Sequence, residues 1–295
     1  MILPRDLATI VLCYSFAYLW LHFSLFFEIG KKQNVLQQDG TWSYDHISAE
    51  INHAYKWISP SVLKSALDRF IFYFIRQSSK VYLLILCLVC FALYTANQSY
   101  YQIPNLVYTI SKVLILIHVL LIFVHYTLCV RFRGLYNGGS DMMMMVIAIG
   151  HLINLICIVY HKNFMWGFLF IAVNLIVSYF KAGIVKAQNA DWLNGNALKH
   201  FMTHTNCLTA RNNQLFIQII RHKSAVWVAI SYLTLFVELG FPLVLLSKMT
   251  FWLFAVWALM FHFFNFLVFG LNRFFWTWML AWPALFYLLK LLHNF

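Results

Sequence analysis

Residues 164–204 read FMWGFLFIAVNLIVSYFKAGIVKAQNADWLNGNALKHFMTH. The first half, 164–182, is a nearly unbroken apolar run. It is close to the ~20 residues that carry a helix across a bilayer. Lys186, Asp191, Trp192, Lys199, His200 and His204 follow at once. In lipid each backbone N–H and C=O needs an internal partner, so a spanning segment is a helix or part of a closed barrel. Continuous rather than alternating hydrophobicity selects the helix.

The rest of the chain repeats the pattern. Of its 295 residues 62% are hydrophobic and 10% charged, and the mean hydropathy is +0.73. A soluble domain carries about 25% charged residues. Eight spans are expected, at 8–27, 81–97, 106–130, 141–160, 164–182, 225–247, 250–270 and 273–292. The fold class is therefore all-α: a polytopic transmembrane helical bundle, read as a single integral membrane domain over 1–295. The first apolar run lacks a small-residue cleavage site and reads as a span rather than a removed signal peptide. Three polar connections remain, at 28–80, 131–140 and 183–224. Within the first, SPSVLKSALDRFIFYFIRQ begins on Ser59-Pro60, a helix-entry signal, and predicts a helix lying in the interface.

The net charge is +12. Its Lys and Arg are scattered between spans, which fits lipid headgroups and excludes a nucleic-acid surface. Summed by side, Lys and Arg place both termini outside and the Lys186 connection on the cytoplasmic side. Five of the six cysteines, Cys13, Cys87, Cys90, Cys129 and Cys157, sit in apolar runs as small hydrophobes. Cys87-x-x-Cys90 falls mid-span, where a redox pair has no access to solvent.

Ionisable residues in spans are costly and each marks a candidate site. They are His22, Lys112, His118, His125, Asp141, His151, Lys186, Asp191, Glu238 and His262. His118 and His125 are two turns apart on one helix face; bundle-facing imidazoles bonded to a neighbouring helix are the preferred reading. His200 and His204 have the i, i+4 spacing of metal ligands, but one such pair is too few for a di-iron membrane enzyme, and no metal is assigned. Lys186 follows the small pair Ala182-Gly183, which permits close helix approach. A lysine there either snorkels to the interface or, partly desolvated, serves as a neutral base. Asp191-Trp192 reads as an interfacial anchor with a counter-charge.

The same residues carry a family resemblance. AGIVKAQNADWLNGNALKHFMTH resembles the motif of the HTTM domain, the membrane domain shared with vitamin K-dependent gamma-carboxylase, through Ala182, Gly183, Lys186, Asp191, Trp192, Gly195 and His204. FHFFNFLVFGLNRFFWTWMLAWPALF resembles the family's late spans through Phe261-His262, Asn265, Phe269, Phe274, Met279-Leu280-Ala281, Pro283 and Phe286. Glu238 in FVELGFPLVLL fits a family glutamate, and LYNGGSDMM, containing Asp141, resembles the turn of bacterial members. Together these cover 134–290.

The resemblance implies a lysine base at Lys186 that deprotonates a reduced quinone such as reduced vitamin K, with Asp191, His204 and His262 orienting it. Asp141, Trp192, Glu238 and Asn265 would line the cofactor. A peptide or protein substrate would be modified at the interface. The alternative is a non-catalytic component for maturation or export of a secreted peptide, as in short SdpB-like bacterial members. Either places the chain in the bacterial cytoplasmic membrane.

Overall fold

The computed structural model describes residues 5–31, 69–70, 73, 103–131, 139–162, 165–203, 223–269 and 271–293. Nine α-helices are described in these stretches: α1 (Arg5–Lys31), α2 (Ile103–Arg131), α3 (Gly139–Val159), α4 (Trp166–Ala187), α5 (Ala190–Leu193), α6 (Asn196–Thr203), α7 (Ser224–Gly240), α8 (Lys248–Phe269) and α9 (Asn272–His293). A short 3-10 helix, Phe241–Leu245, continues α7. Pro242 at its start lacks the N–H that would prolong the α-helix, so the chain tightens instead.

Seven described helices are long and apolar enough to cross a membrane. They fall on seven of the eight expected spans and make this a multi-pass integral membrane protein. The expected span 81–97, with Cys87 and Cys90, lies outside the described residues. So does most of the expected interfacial helix. Of that helix Arg69, Phe70 and Tyr73 are described; they are helical, and Phe70 meets Phe123 of α2 edge-on.

The burial pattern is that of a bundle in lipid. In α2, Leu116 is 73% exposed while His118 is 0% exposed. Apolar Val119, Leu120 and Phe123 also face outward, whereas Ser111 and His125 are buried. Hydrocarbon takes the apolar side chains at no cost, so polar groups collect inside where they find partners.

The chain divides into two compact units, Met1–Gly167 and Phe168–Phe295. In the first, Tyr18 and His22 of α1 meet His118 and His125 of α2 in the same order, so these helices run parallel. His118 meets His151, and His125 meets the Asp141 carbonyl, so α3 runs antiparallel to both.

In the second unit α8 and α9 form a hairpin sealed by rings. Phe251 meets Trp282 and Phe286 at one end, and His262 meets Phe274 and Trp278 at the other. Helices α5 and α6 pack on α7. The turn between them needs Gly195, whose φ is +75°. A Cβ there would stand 2.7 Å from the Val228 nitrogen.

Candidate functional site

The site grows from the crossing of α4 and α7. Lys186 of α4 donates a hydrogen bond to Glu238 Oε1 of α7 and forms an ion pair with it. One turn earlier, Gly183 lies against Leu239: a Cβ would come 2.9 Å from the Leu239 nitrogen. Further down α4, Tyr179 stacks on Phe241 with centroids 3.9 Å apart. Residue numbers fall along α4 as they rise along α7, so the helices are antiparallel. Tyr179, Gly183 and Lys186 sit at i, i+4 and i+7, which is one helix face. Glycine at the middle position lets the backbones approach closely enough for the pair to close.

The two partners differ in burial. The Lys186 side chain is 19% exposed and that of Glu238 4%. The amine also stands over the Trp192 ring, 5.1 Å from its centroid. Trp192 comes from α5, whose first turn is fixed by Asn189: its side chain accepts from the Asp191 backbone N–H at 2.9 Å. The amine is thus held between a carboxylate and an indole face, and both favour a cation. Glu238 Oε2 is buried and has no hydrogen-bond partner. A bare carboxylate oxygen in a membrane interior is an acceptor awaiting a donor.

Below the ion pair lies a second polar contact. The Tyr179 hydroxyl and His262 Nε2 share a hydrogen bond of 2.5 Å. Trp278 stacks on His262 and meets Tyr179 edge-on. Two polar contacts thus share one face of α4, Lys186 with Glu238 and Tyr179 with His262.

Of the residues singled out in the sequence, Lys186, Glu238 and Trp192 come together directly, and His262 bonds Tyr179, which lies on the α4 face that carries Lys186. Asp191 is exposed at the start of α5. Asn265 is half-buried and donates to the Phe261 carbonyl of its own helix at 3.0 Å. Asp141 is a buried residue of the first unit. His204 lies outside the described residues, while His200 is exposed on α6. The residue that sequence reasoning missed is Tyr179. Its signal was its position, two turns before Lys186 on the same face.

This crossing lies in the part of the chain that a family model covers. Residues 159–289 match the HTTM domain. The HTTM segment contains Tyr179, Lys186, Trp192, Glu238 and His262, and it starts after Asp141 and the Gly138-Gly139 pair. Neither a curated protein nor a solved structure matches the chain.

Proposed function

We propose that the Lys186–Glu238 couple is the proton-accepting centre of a membrane enzyme acting on a reduced quinone, in the manner the carboxylase resemblance implies. The observation that carries this is the direct bond between the amine and a buried carboxylate. In a medium of low dielectric two opposite charges are costly to hold. Passing the proton from ammonium to carboxylate cancels both charges and leaves a neutral amine beside a neutral acid. Lys186 can then take a proton from a bound hydroxyl and return to its ammonium form, while Glu238, still protonated, donates a hydrogen bond to the oxyanion left behind.

A hydroquinone suits the groups present. It brings hydroxyl donors, and Glu238 Oε2 is a buried acceptor without a partner. It brings an aromatic ring and an apolar tail; the Trp192 ring lies beside the amine, and the helices present apolar side chains outward to lipid. Lys186 would face the hydroxyl that loses its proton. Glu238 would hold the ring in register, and Tyr179 with His262 would fix the Glu238 side of the site. When bound, a reduced quinone reacting with oxygen supplies the strong base that carboxylase-type chemistry needs. The substrate on this reading is a peptide or protein at the bacterial cytoplasmic membrane.

The second reading is a non-catalytic component that helps mature or export a secreted peptide, as in SdpB-like members. The mutual satisfaction of Lys186 and Glu238 favours it, since the same pair fastens α4 to α7. The test is epoxide formation by the purified protein in lipid nanodiscs supplied with reduced vitamin K and air. Epoxide formed by the wild type and lost in a folded Lys186→Ala variant supports the enzyme. No epoxide from folded wild type removes it and leaves the maturation component.

A further inference from the structure

Contacts mark two levels along α7. Lys186 meets Glu238 towards its end, and Gly195 lies against Trp227 and Val228 towards its start. From Val228 to Glu238 the helix rises about 15 Å, half of a hydrocarbon core of about 30 Å. The chain between Lys186 and Gly195 therefore runs beside α7 through that thickness. Helix α4 ends at Ala187, one residue past Lys186, so it stops within the bundle. A turn at Gln188-Asn189, the single turn of α5 and the turn into α6 follow, and α5 and α6 pack on α7. The far end of α7 is fixed as well. Its 3-10 continuation ends at Leu245, whose carbonyl accepts from His293 Nε2 of α9 at 2.8 Å.

Over this stretch the two sides of α7 differ. The outward side carries Leu233 and Phe236, 53% and 71% exposed, which are side chains for lipid and place this level in hydrocarbon. The inward side carries Trp227, Ser231 and Glu238, at i, i+4 and i+11 on one helix face and each at most 3% exposed. Glu238 faces α4 and Trp227 faces the Gly195 turn, so this stripe looks towards the chain that runs beside α7. Trp227 Nε1, Ser231 Oγ and Glu238 Oε2 are buried, and none has a hydrogen-bond partner. A donor, a hydroxyl and an acceptor in line are groups that ordered water satisfies together.

The chain beside that stripe is polar and exposed. Gln188, Asn189, Asp191 and Asn194 all fall between the two levels, and all four are exposed. Asn189 and Asn194 each accept a backbone N–H from two residues on, at 2.9 and 3.0 Å, which holds the two turns out of regular helix. Polar side chains and non-helical backbone at membrane depth are not left against lipid; they stand where they line water. The exposed polar turns and the lipid-facing Leu233 and Phe236 share one level, so water reaches that level on the side of α5.

We propose that α5, α6 and the inward face of α7 wall a water-filled vestibule, open at the membrane face where α7 begins and closed at its floor by the Lys186–Glu238 pair. Its occupants are water and hydrophilic solutes. The vestibule stands whether Lys186 acts as a base or only fastens α4 to α7. If the quinone reading of the site holds, a polar peptide substrate would come to Lys186 by this route, and the lipid-soluble cofactor from the bilayer side.

The test is thiol accessibility in the full chain with its six cysteines changed to serine. Gln188→Cys and Asp191→Cys probe the vestibule, and Leu233→Cys and Phe236→Cys probe the lipid face of α7 at the same level. Each is treated with a charged, membrane-impermeant methanethiosulfonate in sealed right-side-out and inside-out vesicles. Gln188→Cys and Asp191→Cys are expected to be modified to completion from one side only. Leu233→Cys and Phe236→Cys are expected to stay at the background of the cysteine-free protein. Unmodified Gln188→Cys and Asp191→Cys overturn the proposal. Modification of Phe236→Cys as fast as that of Asp191→Cys overturns it too, since that level would then lie outside the bilayer. Modification from both sides would breach the floor and has the same force. Should the cysteine-free chain fail to fold, hydroxyl-radical footprinting of the wild type in nanodiscs decides, because the radicals come from water. Trp227, 1% exposed, should be oxidised and Phe236, 71% exposed, should not; unmodified Trp227 rules the vestibule out.

Discussion

Lys186 and Glu238, 52 residues apart in the chain, meet across the antiparallel crossing of α4 and α7 as a hydrogen-bonded ion pair. A charge on either helix alone would be stranded in the bundle. Together they bring an amine and a carboxylate side by side within the segment that matches the HTTM domain. The role of each partner can be separated by variants that keep the fold.

The first of these is Lys186→Arg. Arginine keeps the positive charge and the donors, yet its guanidinium does not lose its proton in proteins. The variant should keep the thermal stability of wild type to within about 1 kcal/mol while giving no epoxide from reduced vitamin K. Activity retained by the arginine variant would mean that the position needs a cation and not a base.

Stability reports on the pair itself. Removing one partner leaves a buried charge uncompensated, at a cost of about 3–5 kcal/mol. Lys186→Met and Glu238→Leu should each lower the unfolding midpoint in detergent. The double variant should recover most of the loss, because an apolar pair of similar volume packs without desolvation cost. A double-mutant cycle is therefore expected to show a coupling at least as large as either single loss, about 3 kcal/mol or more; strictly additive losses would show that the side chains do not interact.

Gly183 tests the crossing geometry. An alanine methyl would sit 2.9 Å from the Leu239 nitrogen, and backbone cannot yield as a flexible side chain does. Gly183→Ala should destabilise by about 1–3 kcal/mol and, by pushing α4 from α7, weaken the ion pair. Epoxide formation should fall with it. Gly195→Ala should cost a further kind of strain, roughly 1–2 kcal/mol for the left-handed backbone, with α6 loosened from α7. Proteolytic sensitivity near residue 195 is the readout.

Tyr179→Phe removes the hydroxyl from His262 and keeps the stack on Phe241. Leaving a buried imidazole nitrogen without its partner should cost about 1–3 kcal/mol. Tyr179→Ala should cost more, about 3–5 kcal/mol, because the ring is lost from the core as well. If the two variants unfold at the same temperature, the hydroxyl and not the ring supports the site.

Much of this was legible in the sequence. Hydropathy alone set the seven described spans, since a run of about 20 apolar residues has one stable form in lipid. It also singled out Lys186, Glu238 and His262, because ionisable residues in apolar runs are rare enough to stand out. The reading of His125 as a bundle-facing imidazole bonded to a neighbouring helix matches its bond to the Asp141 carbonyl of α3. His118 faces the bundle too, but bonds its own helix at Leu114. Spacing cannot tell those cases apart, because both place the ring on the inner face.

What the sequence determined by itself is local: which segments are helices, which faces are apolar, and which residues cannot be left facing lipid. Those follow from solvation of the chain one segment at a time. Only the tertiary structure decided which of those residues are partners. Glu238 meets Lys186 because Gly183 and Leu239 let two helices touch at one register, and Tyr179 joins them because it shares that face. Four histidines become a row because three helices align in one unit. Packing contacts between helices in lipid depend on the fit of surfaces far apart in sequence, and no periodicity within a single helix carries that information.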